Sequence, residues 1–331
     1  MKKVKELPII EPLYSTYHNQ GPCSAIIEKN QTITNWVLNN CMFLICTRRF
    51  MLGFTSPEIN VYKTAWHENP FLEKIGIPMK FFKNHTISVI TNLIDEGYYV
   101  HFGGIDDYYM KGKTWYKERH FYHDGLICGY NKSEKTFCVY AYDENWVYRK
   151  FWLPQTCFEE GRKAAFKNGV YGKIVAIKPK EDIVIDFSPK EVLSKLAKYN
   201  ESTLEDYPED VQGVVWGTVV HDYIAKYLSK LRDGSIPYEK MDRRVFRLIW
   251  EHKKVLLQII KKIEETFNLN GEISGEYENI VEEADCLRML YASYHMKRRD
   301  SLIPILEKRL MIIKEKEQKL LKSLLEITNW R

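Results

Sequence analysis

His18-Asn19-Gln20-Gly21-Pro22-Cys23-Ser24-Ala25-Ile26-Ile27 reads as a loop that stops at a cysteine and becomes a helix. Gly21 lets the backbone bend, and Pro22 fixes φ just ahead of the helix. Ala25, Ile26 and Ile27 begin an apolar face. A thiol in that place stands at the positive end of a helix dipole, which favours thiolate over thiol. A thiolate is a nucleophile near neutral pH. Cys23 is therefore the candidate attacking atom of an acyl-transfer enzyme. It is one of seven cysteines, and each of them also fits the ordinary role of a buried small hydrophobe. A histidine far downstream singles out Cys23.

That histidine lies in Arg119-His120-Phe121-Tyr122-His123-Asp124-Gly125-Leu126-Ile127-Cys128-Gly129-Tyr130. His123 opens a strand whose later residues are apolar and which ends in a Gly-Tyr turn. The next strand closes with Tyr140-Ala141-Tyr142-Asp143-Glu144-Asn145. In a hairpin, the start of one strand lies beside the end of the next, so His123 and Asp143 are expected as cross-strand neighbours. A carboxylate there would hold the imidazole in one tautomer and stabilise its cation; Asn145 could do the same less strongly. The expectation is a Cys23-His123-Asp143 triad.

Working outward, residues 1–20 read as an extended lead-in, because Pro8 and Pro12 disfavour helix. Cys23 to about Cys46 follows a largely helical pattern, and Thr86 to Gly97 reads as a helix stopped by its glycine. The period then changes to strands at Tyr98–Phe102, Phe121–Tyr130, Thr136–Tyr142, Val147–Trp152 and Gly172–Ile177, with a helix at Pro154–Lys167. Beyond Ser188-Pro189 almost everything is helical: apolar stripes recur over Val211–Leu231, Val245–Phe267, Ile280–Tyr294 and Leu302–Leu325. Trp216 and Trp250 are expected on these helices. Short turns between them suggest antiparallel neighbours. The predicted architecture is α+β: a catalytic domain with an antiparallel sheet over 1–180, then an α-helical bundle over 181–331.

Composition narrows the function classes. At 331 residues with 45% hydrophobic content the chain is a folded protein of one large or two ordinary domains. A net charge of +5 is too mild to argue for nucleic acid. No run of about 18 apolar residues exists, so no membrane association is expected. The odd, scattered cysteines and the lack of an apolar stretch behind Lys2-Lys3 lead to a cytoplasmic expectation. No CxxC pair exists, so no structural zinc site is expected; no metal and no bound cofactor are expected elsewhere either. The 22 Tyr and 15 Phe suit a lined cleft.

The order of these segments resembles the papain-like fold over roughly residues 10–180. Within it the chain resembles the bacteriocin-leader peptidases, in which a loop cysteine opens a helix and a distant His-x-x-x-x-x-Gly-Tyr strand supplies the base. It is more similar still to the amide-forming acyltransferases typified by the butirosin-pathway enzyme, and to the closthioamide-pathway amide synthase. That family carries a Gly-x-x-Val, an Asp-x-Tyr-Tyr segment and then the histidine strand. Here these stand as Gly97-Tyr98-Tyr99-Val100, Asp106-Asp107-Tyr108-Tyr109-Met110 and His120 to Tyr130. Papain-like enzymes often place a glutamine oxyanion donor six positions before the cysteine. Here that position is Tyr17, so the side-chain donor stays open among Tyr17, Asn19 and Gln20, with the Cys23 backbone N–H beside it.

The resemblance implies an acyltransferase of natural-product, antibiotic-type biosynthesis. Cys23 would take an acyl group from the phosphopantetheine thioester of an acidic acyl or peptidyl carrier protein. A primary amine, such as a diamine or an aminosugar, would then accept it as an amide. Asp106, Asp107, Tyr108 and Tyr109 lie on a loop and are candidates for binding the amine. The equal alternative for that loop is a solvated turn with two packing tyrosines. Two other function classes stand beside this one: a cysteine peptidase or amidase on the same scaffold, and a non-catalytic carrier- or ligand-binding protein. The oligomeric state is open, a homodimer included.

Overall fold

The computed structural model describes residues 3–17, 25–26, 31–62, 70–82, 85–180, 183–203 and 213–329. Along the chain run β1 (Val4–Glu6), α1 (Gln31–Asn40), β2 (Leu44–Thr47), β3 (Asn60–Val61), β4 (Leu72–Pro78), α2 (Thr86–Asp95), β5 (Tyr99–Asp106) and β6 (Tyr122–Asn131). There follow β7 (Thr136–Tyr142), β8 (Tyr148–Pro154), α3 (Gln155–Lys167), β9 (Lys173–Pro179), α4 (Pro189–Glu201), β10 (Val214–Trp216), α5 (Val220–Arg232), α6 (Val245–Thr266), α7 (Glu272–Lys297) and α8 (Ile303–Ile327). The architecture is α+β, with an antiparallel sheet and several C-terminal helices.

The chain divides into two units, one of Met1–Asn30 and Ala65–Ile183, the other of Gln31–Thr64 and Val184–Arg331. The first holds a seven-stranded sheet in the order β4-β9-β5-β6-β7-β8, with β1 also paired to β6. Every pairing in it is antiparallel. The inward faces of these strands bury Val100, Phe102, Ile105, Ile127, Val139 and Ile174 under α2 and α3. Phe158 of α3 meets Phe102 and Phe137 edge-to-face, with ring centroids 5.3 and 5.7 Å apart. Fully burying side chains of this size contributes roughly 1.5–3 kcal/mol each.

The second unit joins a three-stranded sheet, ordered β10-β2-β3, to the helices. α6 packs on α7, α7 on α8, and α4 and α5 on α8. Among the described residues no helix is long and apolar enough to cross a membrane. Cys41, Cys46, Cys128 and Cys138 are buried, and burial pushes the Cys46 thiol up to about 12.

Several expectations change. Leu44–Thr47 is a strand rather than the end of a helix, and so is Val214–Trp216, which moves Trp216 off the helices. Both are short apolar runs, in which helical and strand periodicity cannot be told apart. β1 and β4 carry little hydrophobic signal: β1 is only three residues long, and five positions of β4 are exposed or charged. The chain crosses between the two units three times, where the sequence reading makes one cut near residue 180, because 31–64 belongs with the helical unit. There Asn35 and Asn39 donate side-chain N–H bonds to the carbonyls of Ile185 and Asp186, and β2 pairs with β10.

Candidate active site

The site is built where β5 leaves the sheet and β6 enters it. Ile105 pairs with His123 and Asp106 with Tyr122 across the ladder, after a bulge at Gly103 and Gly104. The bulge re-aims the end of β5, as bulges beside functional sites commonly do. Asp106 then starts a single 3₁₀ turn, Asp107–Tyr109. Its carboxylate accepts from the N–H of Tyr108 and, at 3.3 Å, from the N–H of Phe121. The Asp107 N–H donates to the Phe121 carbonyl at 2.8 Å and carries the pairing one residue further.

This geometry delivers Asp107 to His123. Asp107 Oδ2 lies 3.3 Å from His123 Nδ1, with Asp107 nearly fully buried and the imidazole 23% exposed. The Lys113 ammonium is buried beside both. Its Nζ is 3.2 Å from His123 Nδ1 and 3.7 Å from Asp107 Oδ2. Burial pushes the Lys113 ammonium below the usual lysine range, against the pull of the Asp107 and Asp124 carboxylates. Asp107 Oδ1 is buried with no hydrogen-bond donor among the described residues. On the other side of the ring, His123 Nε2 is 3.9 Å from Asp124 Oδ1, and Asp124 Oδ2 is 3.4 Å from His101 Nε2 of β5.

The carboxylate found beside His123 is Asp107, where the sequence reading expects Asp143. The β6–β7 ladder runs from Asn131↔Thr136 only as far as Leu126↔Tyr140, short of His123. Asp143 turns into the β7–β8 connection instead. Its Oδ1 accepts from the N–H groups of Asn145 and Val147 at 2.8 and 2.9 Å, and its Oδ2 pairs with Arg149. Burial would raise the Asp143 carboxyl, but these donors outweigh it and hold the group below the usual carboxylate range. An aspartate that opens a tight turn tends to satisfy the turn's own N–H groups. Asn145 contributes through its backbone and is exposed.

The expected amine-binding loop separates into two kinds of residue. Asp106 and Asp107 are buried inside the frame, Asp106 holding His120 Nδ1 at 2.7 Å. Tyr108 stacks on the exposed His120 ring at 4.5 Å, and Tyr109 meets Tyr108 edge-on at 5.1 Å. Tyr17 is half-buried. Cys23, Asn19 and Gln20 lie outside the described residues. Of the N-terminal segment around them, Ala25 and Ile26 are buried, and the Ala25 carbonyl accepts from the Ile10 N–H at 3.0 Å. Lys113 was missed in the sequence because nothing in Gly112-Lys113-Thr114 marks it. Asp124 and His101 had a weak signal, being next to His123 and on the neighbouring strand.

Among the described residues no group of three or more His, Cys, Asp or Glu side chains could hold a metal ion. No protein-family model matches the chain, and no curated protein sequence matches it.

Proposed function

We propose that the chain is a cysteine-dependent, amide-forming acyltransferase of papain-like build, with Cys23 as nucleophile and His123 as its base. The observation that carries this reading is the pairing of a partly open imidazole, His123, with a buried carboxylate, Asp107, 3.3 Å from its Nδ1. A buried carboxylate beside a base is what the orienting part of a nucleophile-base-carboxylate triad requires, and this supports the reading. The carboxylate assigned to the triad is Asp107 in place of Asp143. The antiparallel sheet with packed helices and the cysteine-to-helix stretch support the papain-like assignment.

The chemistry runs in two stages. His123 takes the Cys23 thiol proton as sulfur attacks the thioester carbonyl of a carrier-bound acyl group. The carrier's pantetheine thiol leaves with that proton, and an acyl-enzyme remains. A primary amine then attacks, His123 takes its N–H proton, and the intermediate collapses to an amide while the proton returns to Cys23. Asp107 stabilises the imidazolium in both stages.

Intact mass spectrometry after mixing the protein with an acyl thioester tests the reading. An acyl adduct is expected on the wild type, absent from Cys23→Ala, and chased to amide by added amine. Chase to free acid alone would make the chain a hydrolase. An adduct that persists in Cys23→Ala would end the assignment.

A further inference from the structure

His123 is the inner end of a row of aromatic rings. Phe121 meets the imidazole edge-on at 5.2 Å, Trp115 lies 6.4 Å from Phe121, and Trp146 lies 6.2 Å from Trp115 at an interplanar angle of 86°. The row is open to solvent at Phe121, 38% exposed, and at Trp146, 48% exposed. The Arg119 guanidinium lies 5.5 Å from the Trp115 ring centroid.

The row is held in place by backbone. Trp146 has φ 60°, a left-handed conformation that a bulky residue rarely adopts. Such conformations persist where the surroundings enforce them, and they gather at functional sites. The enforcement is visible here: the Asp143 carboxylate accepts from the N–H groups on either side of Trp146, and the Trp146 N–H donates to the Asp143 carbonyl at 3.1 Å. The loop carrying Trp115 is tied to the same turn. Glu144 donates its N–H to the Gly112 carbonyl at 2.8 Å, and the Thr114 hydroxyl donates to the Asp143 carbonyl at 2.9 Å. The turn presents a half-exposed indole against Trp115 and extends the row of rings outward from the imidazole.

We infer that the acyl group handled at His123 carries an aromatic ring, seated along Phe121, Trp115 and Trp146, and that Asp143 is the positioning residue for Trp146. This deepens the acyl-transfer reading and rests on it. Rings recognise rings through edge-to-face and offset contacts, whose added free energy corresponds to about three- to tenfold in rate or affinity. A straight alkyl chain gains burial there but none of that increment.

The test uses N-acetylcysteamine thioesters of 4-fluorophenylacetic and hexanoic acids. The wild type is expected to acylate faster with the ring-bearing thioester. Trp146→Ala should cut the ratio of the two rates by about three- to tenfold. Asp143→Asn should cut it in the same direction with Trp146 still present. In parallel, ¹⁹F line broadening of the fluorinated thioester is measured on Cys23→Ala, with and without Trp146→Ala. Adduct formation with no ring preference, or with a ratio unmoved by Trp146→Ala, overturns the ring seat and leaves the acyl-transfer reading intact. No adduct from either thioester, with broadening that depends on Trp146, ends the transfer reading and keeps the ring seat. Neither adduct nor broadening removes both.

Discussion

Lys113 is buried beside both His123 and Asp107, its Nζ 3.2 Å from His123 Nδ1 and 3.7 Å from Asp107 Oδ2. Asp107→Asn is expected to slow acyl transfer by about 10²- to 10⁴-fold with both thioesters alike, read as single-turnover acylation rate. Asp143→Asn should change the preference between thioesters far more than the rate with hexanoate, which separates the two aspartates by role. His123 was legible from its strand, because a histidine opening an apolar run is a sequence pattern. Its carboxylate was not, since the β6–β7 register carried past Leu126 still sets Asp143 opposite His123, and the Asp107 contact at 3.3 Å comes from the turn after β5.

At the scale of elements, α3 sets where the end of β5 can lie. Gly161 of α3 faces Asp106 so closely that a Cβ there would stand 2.9 Å from the Asp106 carbonyl oxygen and 2.9 Å from Ile105 Cγ2. Gly161→Ala gains about 1 kcal/mol of helix propensity but forces helix and strand apart at a cost of about 1–3 kcal/mol. The expected outcome is a small net loss of stability by urea melt with a larger loss of acylation rate, because the displaced segment carries Asp106 and Asp107. A variant with wild-type rate would show that the site does not depend on that approach. Most strands and helices were readable from periodicity: Thr136–Tyr142 falls where the alternation puts it, and α6, α7 and α8 follow their apolar stripes. Leu44–Thr47 and Val214–Trp216 were not readable, because their strand state comes from pairing with each other across the small sheet.

On the scale of the molecule, the helical unit carries a buried charge network. Glu317 is fully buried and accepts from Lys253 Nζ at 2.7 Å, from the Tyr199 hydroxyl at 3.0 Å and from the Tyr277 hydroxyl. His221 and His252 are buried nearby. Burial first, then the Lys253 charge, pushes them down to about 4 and about 3. Burial would raise Glu317, but Lys253 and the two imidazoles bring it down to about 2. All three groups hold protons more weakly in the fold than in the unfolded chain, whose reference values are 6.5 for the imidazoles and 4.5 for Glu317. The unfolded state therefore takes up protons first as pH falls. Stability should decline from about pH 6.5 downward, more steeply below 4.5, by several kcal/mol in total on the order expected for such shifts. Hydrogen exchange of α8 amides between pH 7 and 4 reads this directly, and pH-independent protection would contradict it. Lys253→Met should cost about 3–5 kcal/mol by leaving Glu317 unpaired, and adding Glu317→Gln should recover much of it. The chain's sequence by itself determined the fold class, the run of C-terminal helices and the histidine at the strand start, since each follows from local periodicity and residue type. Only tertiary structure decided that 31–64 joins the helical unit, which aspartate meets His123, and that the network around Glu317 exists. Those depend on contacts between segments far apart in the chain, which no local pattern encodes.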